Sequence, residues 1–152
     1  MKNRFLYFLF LGLFAVSCSL SASQEHELNK QMGLFLDAKE NNSVLLIVSK
    51  THPSYVKYAK SKGNNYFKEA FQEKELEDLI YSDPTILKVE SQGSQIHVLY
   101  EIEREYILNG ENKEEKIKIV AISEDDGVNW YFLNYGAYMN KNICKDIIQL
   151  IK

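Results

Sequence analysis

Gln95-Ile96-His97-Val98-Leu99-Tyr100-Glu101-Ile102-Glu103-Arg104-Glu105-Tyr106-Ile107-Leu108 runs directly into Asn109-Gly110. The first fourteen residues alternate with period two, the signature of a strand with one dry and one wet side. Ile96, Val98, Tyr100, Ile102, Tyr106 and Leu108 fall on one face, and His97, Glu101, Glu103 and Glu105 on the other. Asn-Gly is a strong hairpin signal, because both turn positions require a positive φ. The chain is therefore expected to return antiparallel over Lys116 to Ser123, with Ile117, Ile119 and Ala121 in register.

Working outward, Asp125-Asp126-Gly127 turns the chain into a further strand, Val128 to Tyr135, while Gly93-Ser94 joins the long strand to an earlier one, Thr85 to Gln92. Before Pro84 the period is helical. Leu28, Met32, Phe35 and Leu36 mark one face of a helix over Glu25 to Lys39, and Phe67, Phe71, Leu76, Leu79 and Ile80 that of another over Asn64 to Tyr81. Val44 to Val48, five apolar residues in succession, suits a buried strand or a short buried helix, and Lys50-Thr51-His52-Pro53 after it, together with the family resemblance described below, favours the helix. A last helix is expected over Asn140 to Ile151. Helices, then a four-stranded antiparallel meander, then a helix place the chain in the α+β class.

The start of the chain carries an address. Met1-Lys2-Asn3-Arg4 precedes an apolar run from Phe5 to Val16, shorter than the roughly 20 residues of a spanning helix, in the manner of a secretory signal. Ala15-Val16-Ser17-Cys18 resembles the lipobox of bacterial lipoprotein signals, with Ala15 where Leu is usual. The resemblance implies removal of residues 1–17 and a lipid on Cys18 bearing two or three acyl chains such as palmitate. Residues 18–24 then form the lipidated cysteine and tether, and 25–152 a single domain. Ser19 rather than Asp after the cysteine points, in envelope bacteria of the enteric type, to the outer membrane in preference to the inner.

Bulk properties narrow the function. The chain holds 18 Lys and Arg and 21 Asp and Glu, and loss of Lys2 and Arg4 with the signal takes the net charge from −3 to −5. Lysines alternate with acids throughout, so the basic face a nucleic-acid partner requires is not expected. With Cys18 lipidated, Cys144 is left alone, no intrachain disulfide can form, and the domain relies on its 45% hydrophobic residues for a core. Cys144, among Ile143, Ile147, Ile148 and Ile151, reads as a buried structural thiol. Three histidines without metal-ligand spacing, and acidic runs without a calcium-loop spacing, suggest neither metal nor cofactor.

Three segments together resemble small exported bacterial domains with the cystatin-like cone fold, shared with nuclear transport factor two. They are His52-Pro53-Ser54-Tyr55-Val56 with Gly63 and Phe67, the meander after Pro84, and Ser123 to Phe132. The resemblance implies N-terminal helices closing a curled sheet, sheets that often pair as homodimers, and a cone mouth in which enzymes of this fold place an acid–base pair. The same fold hosts ligand carriers and inert modules. Ser123, Asp125, Gly127 and Trp130 also match the Asp box of sialidase-type propellers. A single copy in a short chain reads as a hairpin device, in which Asp125 bonds turn amides and Trp130 packs beneath.

Candidate site residues follow. Arg104 occupies the dry face between Ile102 and Tyr106 and is a candidate for holding an anion, with Tyr100, Tyr106 and Trp130 lining the cavity. Snorkelling from a strand end or a register shift are the alternatives. His97 is expected on the solvent side, His26 beside the tether and His52 at a loop or helix end, each structural. Tyr55, Tyr58 and Tyr66 with Lys57, Lys60 and Lys62 form one basic aromatic segment. The leading expectation is a lipid-anchored envelope protein that binds a small molecule or protein partner without catalysis. Two alternatives stand beside it: a cone-mouth isomerase or hydrolase using Arg104 with His52 or His97, and a structural or host-interacting surface lipoprotein.

Overall fold

The computed structural model describes residues 19–72, 76–143 and 145–152; residues 1–17, where a signal is expected, Cys18 and Cys144 lie outside them. Four helices come first: α1 (Ala22–Glu40), α2 (Val44–Lys50), α3 (Pro53–Ser61) and α4 (Asn64–Phe71). The strands β1 (Glu77–Tyr81), β2 (Thr85–Gln92), β3 (Gln95–Leu108), β4 (Glu111–Ser123) and β5 (Tyr131–Asn134) follow, and then a short helix α5 (Tyr135–Met139). The molecule is α+β, with the helices laid into a curled antiparallel sheet.

The long alternating strand organises everything else. β4 pairs with β3 along its whole length, from Ile96 opposite Ser123 to Leu108 opposite Glu111, and β5 extends the sheet beyond β4. The other edge of β3 is shared: β2 occupies it over Gln95 to Glu101, and β1 over Arg104 to Ile107. The curled sheet thus has five strands rather than four.

α1 lies lengthwise on the dry face. Ser21 caps it reciprocally with Gln24, and Leu28, Met32, Phe35 and Leu36 are buried against Val98, Tyr100, Ile102 and Ile119. Burying each such side chain is worth roughly 1.5–3 kcal/mol. Phe35 stacks on Phe132 of β5 at 4.8 Å, joining helix to sheet across the middle of the core.

Further expectations are corrected. The helix over Asn64 to Tyr81 stops at Phe71, and Glu77–Tyr81 is strand β1. Leu76, Leu79 and Ile80 fit a helical spacing, but the free edge of β3 beyond β2 offers ladder hydrogen bonds, and a bulge with Asp78 at φ 51° brings Ile80 opposite Glu105. Among the described residues of 140–151 the expected C-terminal helix does not form. The chain there turns and extends, and Ile147 and Ile151 are buried on the second face of the sheet with Leu99, Val120, Ile122, Leu133 and Tyr138. Isoleucines four apart mimic a helix face, yet β-branched side chains favour helix weakly, and Tyr138 holds the segment instead, its carbonyl accepting from the Gln149 side chain and its hydroxyl from the Ile151 amide. The strand expected over Val128 to Tyr135 is shortened to β5 because Asn134 caps α5, accepting from the Gly136 amide at 2.9 Å.

This second layer explains the largest correction. His97 lies on the face that carries Glu101, Glu103 and Glu105, but at its own end that face is roofed by Tyr138 and the C-terminal segment, and His97 is 0% exposed. The wet side survives only farther along, where Lys116 pairs with Glu101 at 3.5 Å and Glu103 at 3.0 Å.

Candidate functional site

The space between α1 and the sheet is filled by side chains. Tyr100 (2% exposed), Trp130 (1%) and Phe132 (0%) occupy it, so two of the four residues expected to line a ligand cavity are core. The Tyr100 hydroxyl has no hydrogen-bond partner among the described residues, and burial pushes its ionisation well above the ordinary phenol range.

Arg104 and Tyr106 lie elsewhere, toward the far half of β3. Arg104 bonds Glu115, its cross-strand neighbour, and its guanidinium stands 5.4 Å from the Tyr106 ring centroid. The carboxylate already compensates the charge that was expected to hold an anion. The structure brings Arg104 and Tyr106 together and separates both from the core residues Tyr100 and Trp130.

The two interior histidines form a different constellation. His52 caps α3 by accepting the Ser54 amide on Nδ1 at 3.2 Å, which assigns its proton to Nε2. That nitrogen faces Glu124 Oε1 at 3.5 Å, an ion-pair separation too long for a good hydrogen bond. His97 Nδ1 meets the Tyr138 hydroxyl at 2.8 Å. Burial disfavours the charged form of both imidazoles. It lowers His97 to about 4, helped by proximity to His52, and lowers His52 against the opposing pull of Glu124. At 0% and 4% exposure neither reaches solvent. Arg104 is seven residues from His97 on one strand, about 23 Å, and on the opposite face, so these two do not form a pair. Glu124, Tyr131 and Tyr138, which contact these histidines, carry no signal in the sequence that would have joined them.

The Ser123–Trp130 segment is a closed hydrogen-bonded turn. Asp125 accepts from the Asn129 amide at 2.9 Å, the Asn129 side chain at 2.7 Å and the Ser123 hydroxyl at 2.9 Å, which holds its carboxyl below the usual range. Ser123 Oγ accepts the Gly127 amide at 2.8 Å, and Trp130 Nε1 donates to the Gly127 carbonyl at 3.0 Å. The side chains of Ser123, Asp125 and Trp130 are thus all hydrogen-bonded within the turn.

Open space lies on the outside. A groove of about 540 Å³ runs between α2, α3 and β5, walled by Val48, Pro53, Val56 and Tyr131 with Lys57 and Lys60 on it. Neither lysine has a carboxylate within 4 Å among the described residues, and Lys60 lies over the Phe67 ring at 5.9 Å. Leu45, on the neighbouring turn of α2, is 89% exposed. Among the described residues no group of three His, Cys, Asp or Glu side chains is placed to hold a metal, and no helix is long and apolar enough to cross a membrane.

No protein-family model matches this chain, and no curated protein matches it in sequence.

Proposed function

We propose that the chain is a bacterial envelope lipoprotein, cut before Cys18, lipidated there and placed in the outer membrane, whose cone-like domain is of the cystatin-like, nuclear transport factor two-like kind. The domain works by non-catalytic binding. The observation that carries this is the filled interior: His52 and His97, the two candidate bases, are enclosed, while Arg104 is matched by Glu115. What remains is a surface groove, apolar along its walls and cationic through Lys57 and Lys60. Its chemistry suits a small amphiphile with a carboxylate or phosphate, or an acidic segment of a protein partner. Exposed Leu45 beside it favours, as a second reading, a surface lipoprotein whose task is protein contact. Self-association belongs to the same proposal, through the half of the sheet that no helix covers.

The test is native mass spectrometry of the protein released gently from its own membranes. Diacyl mass on a chain beginning at Cys18, with an added small-molecule mass lost in a Lys57→Glu, Lys60→Glu variant, supports binding in the groove. A bare chain beginning at Met1 overturns the address. Protein adducts alone select the second reading.

A further inference from the structure

We infer that the pole of the molecule formed by Ser19–Ser21, the β2–β3 turn and the Asp125–Gly127 turn lies flush on the lipid headgroups, so that the β3–β4 hairpin stands upright from the membrane. This rests on lipidation at Cys18 and adds an orientation to it.

The argument is the length of free chain. Leu20 is already packed against the core, and Ser21 begins the capping box of α1, with its amide donating to Gln24 Oε1 at 2.8 Å. Gln24 in turn donates to the Asp126 carbonyl at 2.9 Å, the Asp126 amide donates to the Ser94 carbonyl at 2.9 Å, and Ser94 Oγ donates to the Glu124 carbonyl at 2.9 Å. Fold and chain start are therefore tied together from Leu20 onward. Two residue steps separate Cys18 from Leu20, a reach of at most about 7 Å. A tether over residues 18–24 would have let the domain tumble; a tether that ends at Leu20 does not.

The direction follows from the same end. α1 and β3 both leave this pole, α1 from Ala22 toward Glu40 and β3 from Gln95 toward Leu108, and they remain side by side: Glu40 accepts the Tyr81 amide at 2.9 Å, and Tyr81 is opposite Arg104. The tip at Asn109-Gly110 is then about 40 Å along β3 from the headgroups. Arg104, Tyr106 and the cleft of about 480 Å³ between Ile80, Glu105, Ile107 and Asn112 are held clear of lipid. Ser19–Ser21, the β2–β3 turn and the Asp125–Gly127 turn carry Asp125 and Asp126 and neither lysine nor arginine. The pole is held down by acyl chains and not by attraction to anionic lipid, so high salt leaves the contact unchanged.

The test uses full-length protein purified in lipidated form and reconstituted in vesicles of phosphatidylethanolamine and phosphatidylglycerol. A short-range fluorophore is placed at Gln92→Cys, at the pole, or at Asn112→Cys, beside the tip, in a chain with Cys144→Ser, and quenched by headgroup-labelled lipid. Quenching at residue 92 at least fivefold stronger than at 112, given the ~40 Å between them, is the expected result. A ten-residue Gly/Ser insertion before Leu20, adding a mean reach of about 17 Å, should erase most of the difference. Equal quenching at both positions in a chain of lipidated mass overturns the orientation alone. A chain of unmodified mass overturns the anchor and the orientation with it.

Discussion

The Tyr138 hydroxyl stands 2.8 Å from His97 Nδ1 and 3.1 Å from the Ile151 amide nitrogen, so one phenol joins the central strand to the last residues of the chain. The hydroxyl accepts from the amide and has its own hydrogen for the imidazole, which leaves the proton of neutral His97 on Nε2. Tyr138→Phe removes a donor and an acceptor together and strands two buried partners. A loss of about 2 kcal/mol in unfolding free energy is expected, read as a fall in denaturant midpoint. An unchanged midpoint would mean that the C-terminal segment is not seated through this contact.

Acid should weaken the fold through the same histidine. Its folded value, about 4, lies below the ordinary 6.5, so the unfolded chain binds the proton more readily. The stabilisation is fully present above pH 6.5 and is lost progressively as pH falls toward 4, up to about 3 kcal/mol. Buried His52 adds loss in the same direction. Unfolding midpoints measured from pH 7 to 4 should decline, and the decline should shrink in His97→Phe.

Gly127 is the tightest point of the Asp turn. Its φ is +86°, and a Cβ there would stand 2.6 Å from Gln24 Cγ. Gly127→Ala should cost about 1–3 kcal/mol from left-handed strain and displacement of Gln24. In a Gln24→Ala background the same change should cost less, because the Cγ it strikes is gone. A double-mutant cycle on unfolding free energies measures this coupling, and strict additivity would separate turn and helix.

Arg104 is conspicuous in the sequence and modest in the structure. Its partner Glu115 has a side chain 41% exposed, so screening by solvent keeps the pair weak. Arg104→Met should change stability by about 1 kcal/mol or less, whereas Arg104→Glu, directly opposite Glu115, should cost more. Thermal midpoints of the two variants test the order.

Lys57→Glu with Lys60→Glu should leave the thermal midpoint nearly unchanged, since both are exposed, and should weaken groove binding of an anionic amphiphile at least tenfold. Titration with a medium-chain fatty acid reads the effect directly. Equal affinity in variant and parent would remove the groove from the proposal.

Strand patterns were legible wherever local sequence and final burial agree. β2 and β3 follow the alternation and turns read from sequence, because a strand with one dry face must alternate and Asn109-Gly110 has few other uses. α1 differs by a residue or a few at its ends for the same reason. β1 and the C-terminal segment misled because their isoleucine and leucine spacing suits a helix, whereas their partners lie on strands far away in sequence. Of the candidate site, the pairing of Arg104 with Glu115 was within reach once the hairpin register was known. The His52–Glu124 and His97–Tyr138 contacts were not, since they join segments 41 or more residues apart.

By itself the sequence determined the class of fold and the register of the central hairpin, since these follow from periodicity and turn chemistry. Tertiary structure alone decided that the sheet is covered on both faces at one end, that the interior is closed, and that the chain is pinned as early as Leu20. Those outcomes depend on which distant surfaces meet, and side-chain order along a chain specifies what a face is made of without specifying what will cover it.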